Sequence, residues 1–142
     1  MKQDIVAVIV KINFGKKSEV YPDKYIDEMR RGEWKEWNTP RKYKHLDGKV
    51  RKLILYDRTR KGLTVEVEIQ KAKRTNRYRD YPWTNKFVTG TLKVYRKSIS
   101  AEKIRLISGF KNFGIHRKDR SPIRNLTLEQ YAAINALRRK SH

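Results

Sequence analysis

The sequence predicts an α+β domain, a mostly antiparallel sheet closing as a small bent barrel with about three short flanking helices. Three observations point there. Apolar residues gather into short runs such as Ile5-Val6-Ala7-Val8-Ile9-Val10 and Leu53-Ile54-Leu55-Tyr56. Leu63, Val65, Val67 and Ile69 alternate with Thr64, Glu66, Glu68 and Gln70, the period of a half-buried strand. Thr127-Leu128-Glu129-Gln130 fits a capping box that opens a final helix. The 142 residues make one ordinary domain, spanning 1–142. A domain of that size buries roughly two-thirds of its unfolded surface and needs no staples.

In order, residues 4–14 read as a strand buried on both faces, ending at Phe14-Gly15, with Lys16-Lys17-Ser18 a polar loop. A short helix follows from Tyr21-Pro22-Asp23 through Arg31: proline suits a first turn, Asp23 the positive end, and Gly32 the stop. Its apolar stripe is Tyr25, Ile26 and Met29. Glu33 to Trp37 alternates charged and apolar side chains, and Pro40 opens an irregular stretch to the Asp47-Gly48 turn. Residues 50–57 and 63–70 form a hairpin across the Asp57–Gly62 loop. Lys71 to Asn85 reads as a basic loop and Phe87 to Tyr95 as a strand. Ser100 caps a helix at 101–107 that Gly109 stops, and a second basic loop spans Phe110 to Asn125. The last helix runs to about Arg139, with Leu128, Tyr131, Ile134 and Leu137 on its apolar face.

Charge narrows the function. Lys and Arg number 36 against 15 Asp and Glu, a net charge of +21 that costs stability through self-repulsion and calls for a polyanionic partner. Ion-pair networks on a thermophilic surface would mix both signs instead of favouring one. Nucleic acid is the first candidate and an anionic membrane surface the second. With no cysteine, disulfides, thiolate metal sites and cysteine nucleophiles are excluded. The short apolar run at the N-terminus suits a strand and not a signal peptide, and no stretch approaches a membrane span. The expected setting is cytoplasmic, with no membrane partner.

The two basic loops supply the grip. Lys71, Lys73, Arg74, Arg77 and Arg79 are interleaved with Tyr78 and followed by Tyr81 and Trp83. Cations hold phosphates, and aromatic faces stack on unpaired bases at about 1–3 kcal/mol per base. The second loop offers His116, Arg117, Lys118, Arg120 and Arg124. Trp34, Trp37 and Trp83 admit two readings: packed core, or a pocket that holds a flipped or modified base. The blander account of the loops is a solvated surface whose tyrosines cover the edge of the core.

Acid–base chemistry is thinly provided. His45, His116 and His142 lack metal-ligand spacing, and no metal or cofactor is expected. Asp57, Glu66 and Glu68 have no histidine or cysteine nearby in sequence, and Glu66 and Glu68, sharing one strand face, are expected on a solvated face or in salt bridges to the basic loops. Gly90-Thr91-Leu92-Lys93 lacks the glycine spacing of a phosphate loop. No catalytic residue is expected.

Three stretches together resemble the PUA-like superfamily, in particular its EVE, YTH and ASCH branches. Glu33-Trp34-Lys35-Glu36-Trp37-Asn38 looks like the tryptophan-bearing stretch of EVE-type domains. Leu46 through Ile69 resembles their central hairpin, and the tail from Ile104 their closing pattern of helix, basic loop and Leu-Thr-x-Glu-x-Tyr helix start. The resemblance implies a bent barrel of five or six strands that binds RNA or DNA, with a modified-base pocket in several members. Trp34 and Trp37, with Asn38 beside them, match the pocket stretch, and Trp83 is a candidate for another wall. Asp47-Gly48 departs from the family's Gly-Asp, and the lysine-threonine-glutamate arrangement of ASCH hydrolases is missing around Arg31 to Arg41. An ASCH-like ribonuclease or small amidohydrolase is therefore the alternative, beside a basic assembly module that binds without base readout. Some EVE-like domains are target-reading modules of modification-dependent restriction systems, which admits a larger restriction or RNA-processing assembly as partner.

Overall fold

The computed structural model describes residues 4–13, 20–41, 51–115 and 121–140. Among them the elements are β1 (Ile5–Ile12), α1 (Lys24–Arg30), β2 (Glu36–Thr39), β3 (Lys52–Asp57), β4 (Gly62–Glu68), β5 (Lys73–Arg74), β6 (Trp83–Lys86), β7 (Lys93–Ser100), α2 (Ala101–Ile104), β8 (Ile123–Thr127) and α3 (Leu128–Lys140). The class is α+β. One sheet has five strands in the order β7-β4-β3-β1-β8, and a second has three in the order β2-β6-β5. Among the described residues, no helix is long and apolar enough to cross a membrane.

The larger sheet is mixed. β1 runs parallel to β3, pairing Val8 with Leu53 and Val10 with Leu55, while its other neighbour, β8, is antiparallel. A parallel pair needs a long crossover, and α1 lies in it. Tyr25, Ile26 and Met29 of α1 join Val8, Val10, Leu53 and Leu55 in one core. Ala7, Ile9, Ile54 and Tyr56 face a second core on the other side, closed by Ile104, Phe110, Phe113 and Ile134. Coverage on both faces is why β1 and β3 are written in nearly unbroken apolar residues.

The β3–β4 hairpin is antiparallel, with a register shift after Leu55. Asp57, 1% exposed, accepts the backbone N–H groups of Thr59 (2.9 Å) and Arg60 (3.2 Å) and the Tyr25 hydroxyl (3.1 Å). This carboxylate is therefore the knot of a turn. Burial pushes the Tyr25 hydroxyl well above its ordinary pKa, and the neighbouring Asp57 adds to the rise.

The alternation in β4 is broken. A register shift against β7 between Leu63 and Val65 puts Leu63 in one core and Val65, Val67 and Ile69 in the other. Glu66 is 2% exposed instead of lying on a solvated face, and its ion pairs run to lysines of β3 and β7, not to the basic loops. The reason is α3, which covers that face: the Tyr131 hydroxyl donates to Glu66 at 2.7 Å, and the Lys52 and Lys93 ammoniums lie 3.8 Å away.

Other expectations shift in placement. Lys71 to Asn85 is not one loop but carries β5 and most of β6, paired Lys73 to Thr84 and Arg74 to Trp83. Those polar pairs lack the apolar run that marks a strand. The strand expected at 87–95 begins at Lys93, because Val88 to Thr91 turns at Gly90 (φ 82°). Only Ile69 and Phe87 bridge there, and with Gln70 N–H to Lys86 O and Val88 N–H to Glu68 O (both 2.8 Å) they join the two sheets. Ser100 accepts from Lys103 N–H (3.4 Å) as a cap should, over a helix shorter than expected.

β8 begins inside the expected second basic loop and runs past its end, which places Arg124 on a strand. The capping box forms in both directions, Gln130 N–H to Thr127 Oγ1 (3.2 Å) and Thr127 N–H to Gln130 Oε1 (3.0 Å). Leu128, expected on the apolar face, is 66% exposed, since the stripe that meets the core begins a turn later with Tyr131, Ile134 and Leu137. Phe14-Gly15, Lys16 to Ser18, His45, Asp47-Gly48, His116 and His142 lie outside the described residues.

Candidate nucleic-acid interface

Five residues singled out from sequence meet around one groove. Trp34, Trp37, Asn38, Tyr78 and Tyr81, together with Glu36, line a hollow of about 310 Å³. The segment from α1 to β2 places the tryptophans and Asn38, and the tip of the β5–β6 hairpin places the tyrosines. Asn76, at φ 56°, helps turn that tip, Thr75 N–H bonds Pro82 O (2.8 Å), and Tyr81 N–H bonds Tyr78 O (3.2 Å). Arg77 Nη1 reaches across to Glu36 Oε1 at 2.6 Å and ties the tip to β2.

Each wall is held differently. The Trp34 indole N–H donates to Glu36 O at 2.8 Å, and its ring meets Tyr25 and Phe87 edge-on at centroid distances of 6.3 and 5.8 Å. Trp37 stands on β2 opposite Asn85, whose amide donates to Trp37 O at 3.1 Å. Asn38 Oδ1 accepts from the Thr84 hydroxyl at 2.8 Å, and Thr84 lies 2.7 Å from the Thr75 hydroxyl. That chain fixes the Asn38 amide beside the groove. Tyr78 and Tyr81 are about half exposed, at 52% and 50%.

Core and pocket are not exclusive readings for the tryptophans. All three rest against the core under α1. Trp34 and Trp37 also present surface to the groove, whereas Trp83 does not line it and packs behind, paired with Thr39. Glu36 went unnoticed in the sequence as a site residue, yet its Oε2 is buried and has no hydrogen-bond partner among the described residues. Its position between two tryptophans was the available signal.

The cations divide. Lys71, Lys73, Arg74, Arg77 and Arg79 are all exposed around the hairpin. Arg74 bonds Asn76 at 3.0 Å and Arg77 is paired with Glu36, a local hold that leaves both near solvent. Arg124 instead donates to Gly109 O at 2.9 Å and lies over the Phe110 ring at 4.8 Å. Arg117, Lys118 and Arg120 lie outside the described residues. Among the described residues, no group of three His, Cys, Asp or Glu is placed to hold a metal ion.

The architecture has solved relatives in shape. No family model matches the sequence, and no curated protein does. A Rhodopseudomonas palustris protein solved by NMR superposes with a TM-score of 0.66 at 11% identity, covering 97% of this chain and 96% of that one. A Pseudomonas putida crystal structure gives 0.63 at 15% identity over 94% and 99%. A hypothetical protein from Leishmania major gives 0.63 at 14% identity over 97% of both chains. This chain therefore shares its fold, over nearly its whole length, with proteins of bacteria and a protozoan.

Proposed function

We propose that this chain is a PUA-like nucleic-acid-binding domain that holds one unpaired base in the aromatic groove and its phosphates on the basic β5–β6 hairpin. The joined sheets are read as the bent barrel of that fold. The observation that carries the reading is the convergence of Trp34, Trp37, Tyr78 and Tyr81 on one hollow beside five exposed cations. The hollow is shallow and open to solvent, which suits stacking of a base on its aromatic faces. Aromatic faces supply stacking to any base, while the Asn38 amide supplies a polar contact at its edge. A methyl group on the base adds apolar surface against the rings, so a methylated base is the favoured ligand.

The test is fluorescence anisotropy on short RNA and DNA strands, plain and base-methylated, across a salt series. The expected result is affinity that falls steeply with salt, and a preference for one modified strand that disappears in Trp37→Ala. Affinity that ignores base identity and modification in the wild-type protein would leave a basic assembly module instead. Turnover of the strands during incubation would favour the hydrolase alternative.

A further inference from the structure

Trp34 borders a second hollow. A cleft of about 500 Å³ has Trp34, Phe87 and Leu92 among its apolar walls and Arg30, Arg31 and Lys35 among its polar ones, and no acidic side chain lines it. Gly32 and Gly90 also line it, and a Cβ added at either would meet nothing within 4 Å. Arg30 is shared in turn with a third hollow, of about 360 Å³, lined also by Arg60, Arg96 and Asp23, of which Asp23 is paired with Arg60. The three hollows thus form a chain linked through Trp34 and Arg30, passing from aromatic walls, through aromatic walls with a cationic rim, to a mixed hollow in which three arginines outnumber one aspartate.

That order matches the chemistry of a single strand, in which flat bases alternate with phosphates. Arg30 pairs with Asp27 at 3.5 Å and Arg31 with Glu33 at 3.0 Å, but these pairs are solvent-exposed on both sides, so a phosphate can replace the carboxylate at little cost. Lys35 has no ion-pair partner among the described residues.

We propose that the cleft between Trp34, Phe87 and Lys35 holds the nucleotide adjacent to the one stacked in the aromatic groove, so that the protein grips two consecutive nucleotides of a single strand. The proposal rests on the groove being a base site. It makes the protein a reader of a step, with a fixed polarity: only one neighbour, 5′ or 3′, can fall into the second cleft. In a paired duplex both bases are stacked and unavailable, so single-stranded or locally opened nucleic acid is the ligand class.

The experiment uses five-nucleotide strands of constant phosphate number in which all bases but one are abasic, compared with strands that restore a second base on the 5′ or the 3′ side. The expected result is a roughly tenfold gain from one side only, the scale of one stacked base. In Lys35→Glu/Thr89→Glu, both exposed positions on the cleft, that gain is lost while the one-base strand keeps its dependence on Trp37. No gain from either side, or a gain that survives the double variant, overturns the second subsite. Failure of the groove itself reads differently: the one-base strand then binds no better than a fully abasic one, and Trp37→Ala changes nothing.

Discussion

The two faces of the five-stranded sheet use the same residue types, cations beside aromatic rings, in opposite ways. On the α3 side they are locked together. Lys11 lies over Phe113 at 5.1 Å, Lys52 over Tyr131 at 5.1 Å, Arg124 over Phe110 at 4.8 Å and Arg138 over Tyr95 at 5.7 Å. Burial alone would lower the Lys52 ammonium, yet Tyr131, Glu66 and Glu68 together hold it above its ordinary pKa. On the side of the small sheet, Lys71, Lys73 and Arg79 stand exposed beside half-exposed tyrosines. The net charge of +21 is therefore not one uniform coat. Part of it is committed to packing, and part of what is left near solvent lies on the hairpin that carries the tyrosines of the aromatic groove.

The largest effect is expected where the locked side depends on one carboxylate. Glu66 accepts from Tyr131 and neutralises Lys52 and Lys93, so Glu66→Ala leaves cations and a hydroxyl without their partner. Breaking a buried pair costs about 3–5 kcal/mol, and the partial exposure of both lysines puts this site at the lower end. Urea unfolding should show that loss. Strand affinity, measured under conditions where the variant is still folded, should be unchanged. A variant of normal stability would mean that the two faces are less distinct than the contacts imply.

The open side should answer in the reverse sense. Tyr78 is 52% exposed, so Tyr78→Ala should leave unfolding within about 0.5 kcal/mol of wild type. The same change should weaken binding to a base-bearing strand by roughly tenfold, the middle of the range for one stacked base, and leave an abasic strand unaffected. Equal losses on both strands would assign Tyr78 to the phosphate backbone.

How much of this was legible in the sequence depends on where the signal lay. The β3–β4 hairpin, α1 and the capping box of α3 are written locally, in apolar runs, a proline and a Thr-x-x-Gln spacing, and they were readable. β2 and β8 were not, because Glu36-Trp37-Asn38-Thr39 and Ile123 to Thr127 take their pairing from partners far along the chain, and β5 was not because Lys73-Arg74, though paired locally with β6, carries no apolar run. Glu66 was misplaced because period two tells which residues share a face, not whether a helix covers that face. The groove residues were legible as types, aromatic and basic, but their meeting depended on the hairpin tip reaching β2 through Arg77 and Glu36, a contact across 41 positions.

Tyr95 refines the contrast by about 1 kcal/mol. Its hydroxyl is buried and has no hydrogen-bond partner among the described residues. Burial first, and Glu66 next, raise its pKa far above the ordinary value of 10.0. A hydroxyl that stays protonated when folded but ionises when unfolded leaves stability independent of pH below about 10 and lowers it as pH rises further. Tyr95→Phe removes an unsatisfied group, so it should raise stability by about 1 kcal/mol at neutral pH and soften the alkaline fall in the unfolding midpoint. Unchanged alkaline behaviour would transfer that limb to Tyr25, the other buried tyrosine with a raised pKa.

The finest separation is between two arginines that composition alone treats as equal. Arg79 is exposed on the hairpin, and Arg124 is committed to Gly109 O and the Phe110 face. If Arg79 holds one phosphate, Arg79→Ala should reduce the slope of log affinity against log salt by about 0.7, the single-strand value per contact, with stability unchanged. Arg124→Ala should do the opposite: little change in slope, and a stability loss of about 1 kcal/mol from the hydrogen bond and the ring contact together. An equal change in slope for both would mean that Arg124 exchanges its packing contacts for phosphate on binding. The interface would then extend from the hairpin around to β8, and the division of charge between the two faces would hold only for the free protein.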